Sequence, residues 1–234
     1  MLALGVERLT GESRVLDVGC RDASHLIGLV RATGACGVGL DPVSLLAEQA
    51  RAAVSEAGLD DRIEIVEGAI QRIPFPDESF DLVWCRDVLT IVDDLAFGIA
   101  EIARVLRPGG HVIVYTVLAT DRLEPKEAEM LGRSLALVRE NLLPDSVEGA
   151  FRSAGLDLIE KDEIGTEWRE HAEERSQPAS QALLRLARLR RQRERIIAES
   201  GEEIYAHIES NLHWLVYQFL GKLMPTIYVV AKPV

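Results

Sequence analysis

The sequence predicts an α/β fold, a mostly parallel sheet with helices on both faces, with a helical extension late in the chain. Three observations predict it. Short apolar runs of strand length alternate with helix-period segments through the first half. Glycine or proline stands at most switches between the two periods. Beyond residue 165 the pattern is mostly helical until a final β-prone run, TIYVVA.

The elements follow in order. RVLDV, residues 14–18, is an apolar run ending at Gly19. A helical pattern covers 23–32 and closes at Gly34. The second strand, 35–40, runs into Asp41-Pro42. Pro42 is expected in the first turn of the next helix, where its missing N–H costs nothing, and that helix stops at Gly58. Residues 63–66 make the third strand, Pro74 and Pro76 mark a loop, and FDLVW, 80–84, is the fourth strand. A helix over 94–106 is stopped by Pro108-Gly109-Gly110, and 111–117 is the fifth strand. A helix over 125–141 follows, then one capped by Asp145 and ended by Gly155. Residues 156–164 read as a strand, 166–224 as mostly helix, and 226–231 as the closing strand.

Composition narrows the function classes. At 47% hydrophobic residues, the 234-residue chain can bury a core. Its 26 Lys and Arg against 38 Asp and Glu give a formal charge of −12, which disfavours nucleic acid and anionic membranes as partners. No apolar run approaches the roughly 18 residues of a membrane span. The start, MLALGVERLTGESR, has no basic segment followed by an apolar one, so no signal peptide is expected. Cys20, Cys36 and Cys85 are too scattered for a zinc motif and too few for a disulfide scaffold. A reducing cytoplasmic setting and no metal are expected.

In an open parallel sheet, ligands bind beyond the carboxyl ends of the strands. Here those ends are 19–24, 41–42, 68–71, 85–87 and 116–118. Asp17 belongs to the motif Asp17-Val18-Gly19-Cys20 that enters the first turn, where its charge would repel a pyrophosphate and suit an ammonium or sulfonium. Asp41 ends the second strand, where an acid accepts hydrogen bonds from ribose hydroxyls. Either acid alone could equally be a helix cap. Together, on adjacent strand ends, they point to a nucleoside.

VLDVGC, GLDP, IPFPDESFDLVWCRDVL and LRPGG occur in this order over residues 15–117. This ordered set resembles the class I S-adenosylmethionine-dependent methyltransferases, in the branch with small-molecule acceptors. The resemblance implies a Rossmann-like sheet of seven strands, the sixth over 156–164 and the last, 226–231, antiparallel. It implies S-adenosyl-L-methionine as cofactor and methyl transfer to an O or N atom. Asp17, Gly19, Cys20 and Arg21 would form the loop for the methionine end. Asp41, with Pro42, would hold the ribose. Ala69 and Ile70 fall at the adenine positions, and Cys85 and Arg86 would pass their backbone near the methionine amine. The LRPGG segment would be a structural turn.

The chain departs from the family pattern in three places. Gly-x-Gly-x-Gly is here Gly19-Cys20-Arg21-Asp22-Ala23, with only the first glycine kept. Arg21 and Ala23 could crowd the methionine end or reshape the loop; Arg21 could instead pair with the cofactor carboxylate or face solvent. The usual acid after the third strand's glycine is Ala69, with Gln71 as a partial substitute. Thr90-Ile91 replaces a common Glu-His, so no base carries over from that position.

Asp87 is the candidate base, with a cap or a charge partner for Arg86 as the alternative. Tyr115 and Thr116 end the fifth strand at the correct edge, with core packing as the alternative. His111 starts that strand at the opposite edge, and His25 is expected to be structural.

The most individual part is the insert, residues 165–224, set apart from a sheet domain of 1–164 and 225–234. One reading is a lid, with Trp168, His171, Tyr205, His207, His213, Trp214 or Tyr217 lining a pocket. The competing reading is a helical hairpin that packs on the domain or makes a homodimer. Ile204, Ile208, Leu212, Leu215 and Phe219 share helical spacing. Six arginines between 185 and 195 are expected as a solvated face, with an anionic ligand or the acidic segment 160–174 as alternatives. Cover for the active site is expected from 118–143 and the insert. A methyltransferase-like protein without turnover stays open, as do, more distantly, a nicotinamide oxidoreductase and a macromolecule methyltransferase.

Overall fold

The computed structural model describes residues 9–234. The signal-peptide expectation rests largely on the first eight residues and lies outside the described ones. Elements run β1 (Arg14–Val18), α1 (Ser24–Thr33), β2 (Cys36–Asp41), α2 (Ser44–Glu56), β3 (Ile63–Glu67), β4 (Phe80–Arg86), α3 (Leu95–Val105) and β5 (Leu106–Ala119). Then come α4 (Pro125–Leu135), α5 (Pro144–Ser153), β6 (Asp157–Glu163), α6 (Thr166–Ser176), α7 (Pro178–Arg191), α8 (Arg193–Ser200), α9 (Glu202–Phe219) and β7 (Leu223–Ala231).

The seven strands form one sheet in the order β3-β2-β1-β4-β5-β7-β6. β1 pairs in parallel with both β2 and β4, β2 with β3, and β4 with β5. Only the last strand is antiparallel. The chain builds outward from β1 in one direction through β2 and β3, then returns to lay β4 on its other side. This reversal opens a crevice at the carboxyl ends of β1 and β4, the usual ligand position in such sheets. Central position explains composition: Val15 and Leu16 of β1 are fully buried, as strands covered on both faces require.

Local chemistry sets several boundaries. The Asp94 carboxylate accepts the Phe97 N–H at 3.0 Å and caps α3. Lys232 Nζ donates to the Ala103 and Leu106 carbonyls at 3.0 and 2.9 Å, at the negative end of that helix. β2 carries two glycines for a packing reason. A Cβ on Gly37 would lie 2.8 Å from Leu26 Cδ1, and one on Gly39 would lie 2.8 Å from Cys20 Sγ. Their absence lets α1 and the first turn sit close on the sheet.

Three expectations are corrected. Pro42 lies before α2, not in its first turn, because Val43 is extended and the helix begins at Ser44. The LRPGG segment belongs to the start of β5, and a step of two positions in β4 (Phe80 to Leu82) faces a step of five in β5 (Leu106 to His111). Gly109 takes φ +76° there, and its N–H donates to the Lys232 carbonyl at 2.8 Å. The helix over 125–141 ends at Leu135, because Ala136 turns left-handed at φ 54°.

The chain divides into two compact units. One holds the described residues up to Thr116 together with Asp145–Asp162 and Ile227–Val234; the other holds Val117–Pro144 and Glu163–Thr226. Residues 117–144, expected with the sheet domain, thus group with the helices. In this second unit α9 packs against α7 and α4. Its buried stripe is Tyr205, Ser210, His213, Val216 and Tyr217. The alternative stripe through Ile204 and Ile208 is exposed at those two positions, 52% and 39%. The buried stripe keeps polar partners: Arg190 Nη2 lies 3.2 Å from His213 Nε2, and His213 Nδ1 donates to the Glu209 carbonyl at 2.9 Å.

Candidate functional site

The first unit brings the sequence-predicted cofactor residues together at the carboxyl edge of β1, β2 and β4. Gly19 takes φ +75°, and its N–H donates to the Leu40 carbonyl at 2.7 Å. A Cβ there would lie 2.3 Å from Val88 Cγ2, so glycine is required twice over, by conformation and by space. The Cys20 N–H reaches the same carbonyl at 3.1 Å. Its thiol is buried and pushed up to about 12 by that burial, so Cys20 packs and does not ionise. Cys85 is likewise fully buried, with its thiol driven upward by burial.

Two residues of the first turn keep a glycine-like backbone without being glycine. Arg21 has φ 50° and Ala23 φ 55°. Left-handed backbone thus recurs at Gly19, Arg21 and Ala23 along this loop. Arg21 is exposed while Ala23 is fully buried. Asp87, at the end of β4, is also left-handed at φ 55°, with its N–H on the Tyr115 carbonyl at 3.0 Å. Each such conformation costs on the order of 1–3 kcal/mol and tends to cluster at functional sites.

Asp41 is 3% exposed. Its Oδ2 accepts the Arg21 N–H and its Oδ1 the Val43 N–H, both at 3.0 Å. One acid thus ties the β1 turn to the end of β2. A carboxylate offers about four acceptor sites, so two remain. Asp17, also 3% exposed, is raised to about 7. Burial is the main cause; Arg86 opposes the rise, while Asp41 and Asp22 add to it.

Beyond β3, the Gly68 N–H donates to the Asp41 carbonyl at 3.0 Å, leading into Ala69 and a buried Ile70. The following loop is fastened by Arg104. This guanidinium donates to the Ile73 and Phe75 carbonyls at 2.9 and 2.8 Å and pairs with Glu101 and Asp77. Spacing gave no signal for this network, because Arg104 looks like an ordinary charge near a helix end.

At the end of β4, the Arg86 guanidinium touches His25 Nε2, lies 3.4 Å from an Asp87 carboxylate oxygen, and stands 5.7 Å from the centre of the Tyr115 ring. His25, expected to be merely structural, is thus part of the site cluster. Burial and Arg86 both hold its imidazole below the usual range. Burial raises the Asp87 carboxyl against the pull of Arg86 and Arg21. Thr116 is fully buried, and its hydroxyl has no partner.

The other acceptor candidates lie in the second unit. Trp168 is 62% exposed and His171 is exposed. Tyr205 is buried beneath the Arg193 guanidinium, 5.5 Å from its ring centre. His207 Nδ1 donates to the Ser134 carbonyl at 3.0 Å beside a cavity of about 880 Å³ lined also by Lys126, Glu129, Arg133 and Glu203. Three of the arginines find acids within this unit: Arg190 with Glu209, Arg193 with Glu202 and Arg195 with Glu199. The acidic segment 160–174 supplies none of these three partners.

The profile of a methyltransferase domain matches residues 16–114. These residues form a class I methyltransferase domain. The match spans β1 through most of β5 and therefore the whole cluster at the carboxyl edge, and the family takes S-adenosylmethionine as cofactor. The methyltransferase GfsG of Streptomyces halstedii is 30% identical over 158 residues, 67% of this chain and 57% of that protein. The sterol 24-C-methyltransferase erg6 of Aspergillus fumigatus is 34% identical over 157 residues, 64% of this chain and 41% of that protein. The matched stretch thus spans about half the length of these relatives. The geranyl diphosphate C-methyltransferase of Streptomyces coelicolor, solved with Mg2+, geranyl diphosphate and S-adenosyl-L-homocysteine, shares the fold. Its TM-score is 0.71 at 13% identity, over 97% of this chain and 75% of that one. Among the described residues no helix is long and apolar enough to cross a membrane.

Proposed function

We propose that this methyltransferase domain transfers a methyl group from S-adenosylmethionine to an O or N atom of a small molecule. The observation that carries the proposal is the pair Asp17 and Asp41, both buried on adjacent strand ends beside a glycine turn. The donor set fits the cofactor. Asp41 keeps acceptor capacity for ribose hydroxyls, Asp17 supplies negative charge for a cationic amino-acid end, and Ala69 and Ile70 offer an apolar seat for a base. When bound, S-adenosylmethionine supplies a methyl on a sulfonium, open to in-line displacement.

The chain's own contribution is then chiefly positioning. Asp41 orders the turn through two backbone N–H groups and so places Gly19 and Cys20. Arg104 fixes the loop after β3. A nucleophile that must lose a proton needs a base within reach. Asp87 is that base candidate, since it follows directly on β4 at the carboxyl edge, half exposed, with Arg86 3.4 Å from its carboxylate. Tyr115, stacked under Arg86, borders the same place. The relative named as a sterol methyltransferase supports a small organic acceptor.

Titration calorimetry with S-adenosylhomocysteine tests the reading. Binding at micromolar to low-millimolar ligand is expected, with at least tenfold weakening in Asp41→Ala. Absence of binding at several millimolar would remove the proposal. A screen for S-adenosylhomocysteine release across phenols, alcohols and amines then separates turnover from binding alone.

A further inference from the structure

We propose that the Arg86–His25 pair reads the α-carboxylate of the cofactor's amino-acid end, with His25 as the residue that positions Arg86. The inference rests on the cofactor reading above and names residues for one end of the ligand.

Charge balance comes first. Four acids, Asp17, Asp22, Asp41 and Asp87, gather at this edge against two cations, Arg21 and Arg86. Such a site favours a ligand of net positive charge. A ligand with a sulfonium, an ammonium and a carboxylate has that charge, and its one anionic group still needs a cation. Guanidinium is well matched to a carboxylate, because its planar N–H fork can donate two parallel bonds.

Geometry selects Arg86 over Arg21. Arg21 meets the cluster through its backbone N–H, which donates to Asp41, whereas Arg86 meets it through its guanidinium. Arg86 is held on three sides: by His25, by the Asp87 carboxylate at 3.4 Å, and by the Tyr115 ring at 5.7 Å. It also lowers the energy of ionised Asp17, so it lies within electrostatic reach of the acid proposed for the ammonium. Its side chain remains 42% exposed, which leaves N–H groups open to a ligand.

His25 has a defined part. Arginine can only donate, so His25 Nε2 must accept, and the imidazole is neutral with its proton on Nδ1. The imidazole thereby orients the guanidinium without adding a competing charge. His25 sits in the first turn of α1, at the positive end of a ten-residue helix, which adds to the attraction for an anion. The contact joins residues 61 positions apart, so no local motif announces it.

The test compares three ligands by calorimetry: S-adenosylhomocysteine, its decarboxylated counterpart, and 5′-methylthioadenosine, which lacks the whole amino-acid end. The unsubstituted protein should prefer the carboxylated ligand by about 10- to 100-fold, the range of a charge-assisted hydrogen bond. Arg86→Ala should abolish that preference. His25→Ala should reduce it severalfold, and His25→Gln, whose amide oxygen reaches the Nε2 position, should restore most of it. Affinity for 5′-methylthioadenosine should stay unchanged in all three variants, showing that the site remains folded. Equal binding of the two longer ligands by the unsubstituted protein would overturn the proposal, as would an unaltered preference in Arg86→Ala or His25→Ala. Failure of all three ligands to bind would instead remove the cofactor reading itself.

Discussion

Asp17 makes the affinity for the cofactor's amino-acid end depend on pH. Its carboxyl is raised to about 7 because it is buried beneath the first turn, with Asp41 and Asp22 adding repulsion and Arg86 relieving part of it. A cationic ligand end binds the ionised form. The apparent affinity is then the intrinsic one scaled by the ionised fraction. For a group titrating near 7, that fraction is about 0.76 at pH 7.5 and about 0.09 at pH 6. The Kd for S-adenosylhomocysteine should therefore be about eightfold weaker at pH 6 than at pH 7.5. Binding near pH 6.5 should also release a proton, read as a calorimetric enthalpy that varies with the ionisation enthalpy of the buffer. The sign for stability runs the other way. An acid that is easier to protonate in the folded state supports folding below about pH 4, and this contribution is lost as pH rises toward about 7. Asp17→Asn should thus flatten the affinity profile and raise the melting temperature of the ligand-free protein at pH 8. His25 and Asp87 are also ionisable groups of this cluster, which is why the substitution is needed beside the pH series. An affinity for S-adenosylhomocysteine that is flat from pH 6 to 8, or a slope that survives in Asp17→Asn, would refute the reasoning.

The other expectations concern the turn and its supports. Gly19→Ala must hold φ +75° and place a Cβ 2.3 Å from Val88 Cγ2, so urea unfolding should show a loss of about 2–4 kcal/mol. Arg21→Gly relieves a left-handed conformation at an exposed residue. After subtracting the extra freedom of glycine in the unfolded chain, it should gain about 0.5–1 kcal/mol, seen as a rise of a few degrees in Tm; a fall in Tm would contradict the strain assigned to this loop. Arg104→Met strips the hydrogen bonds that fasten residues 73–77, and should cost about 2–3 kcal/mol and raise amide exchange in that loop before it does so in β1.

Much of the sheet was legible in residue order. β1 has the bounds that its apolar run and Gly19 indicate, because a central strand must be apolar on both faces and a glycine must release the turn. The helix starts were less legible. Pro42 is compatible with a first turn, but Asp41 spends its Oδ1 on the Val43 N–H and delays α2 to Ser44. In α9, apolar residues occur on more than one face, so spacing alone did not choose between Ile204 and Tyr205. Partners decided it: His213 and Tyr205 can be buried because Arg190 and Arg193 lie against them.

The candidate site divides in the same manner. Asp17, Gly19 and Asp41 could be found from sequence because each occupies a strand end, where topology places ligands whatever the side-chain detail. The backbone strain at Arg21, Ala23 and Asp87 was not legible, since these residue types carry no preference for positive φ of the glycine kind. His25 was passed over because its partner, Arg86, is distant along the chain.

What the sequence alone determined is therefore the alternation of strands and helices, the order of the motifs and the two acids at adjacent strand ends. These follow from local periodicity and turn chemistry. Tertiary structure decided which side chains meet. It joined residues 117–144 to the late helices, buried Asp17 so that its proton is held near neutral pH, and set His25 against Arg86. Burial and long-range contact have no local signature, because they depend on what the rest of the chain brings to the same place.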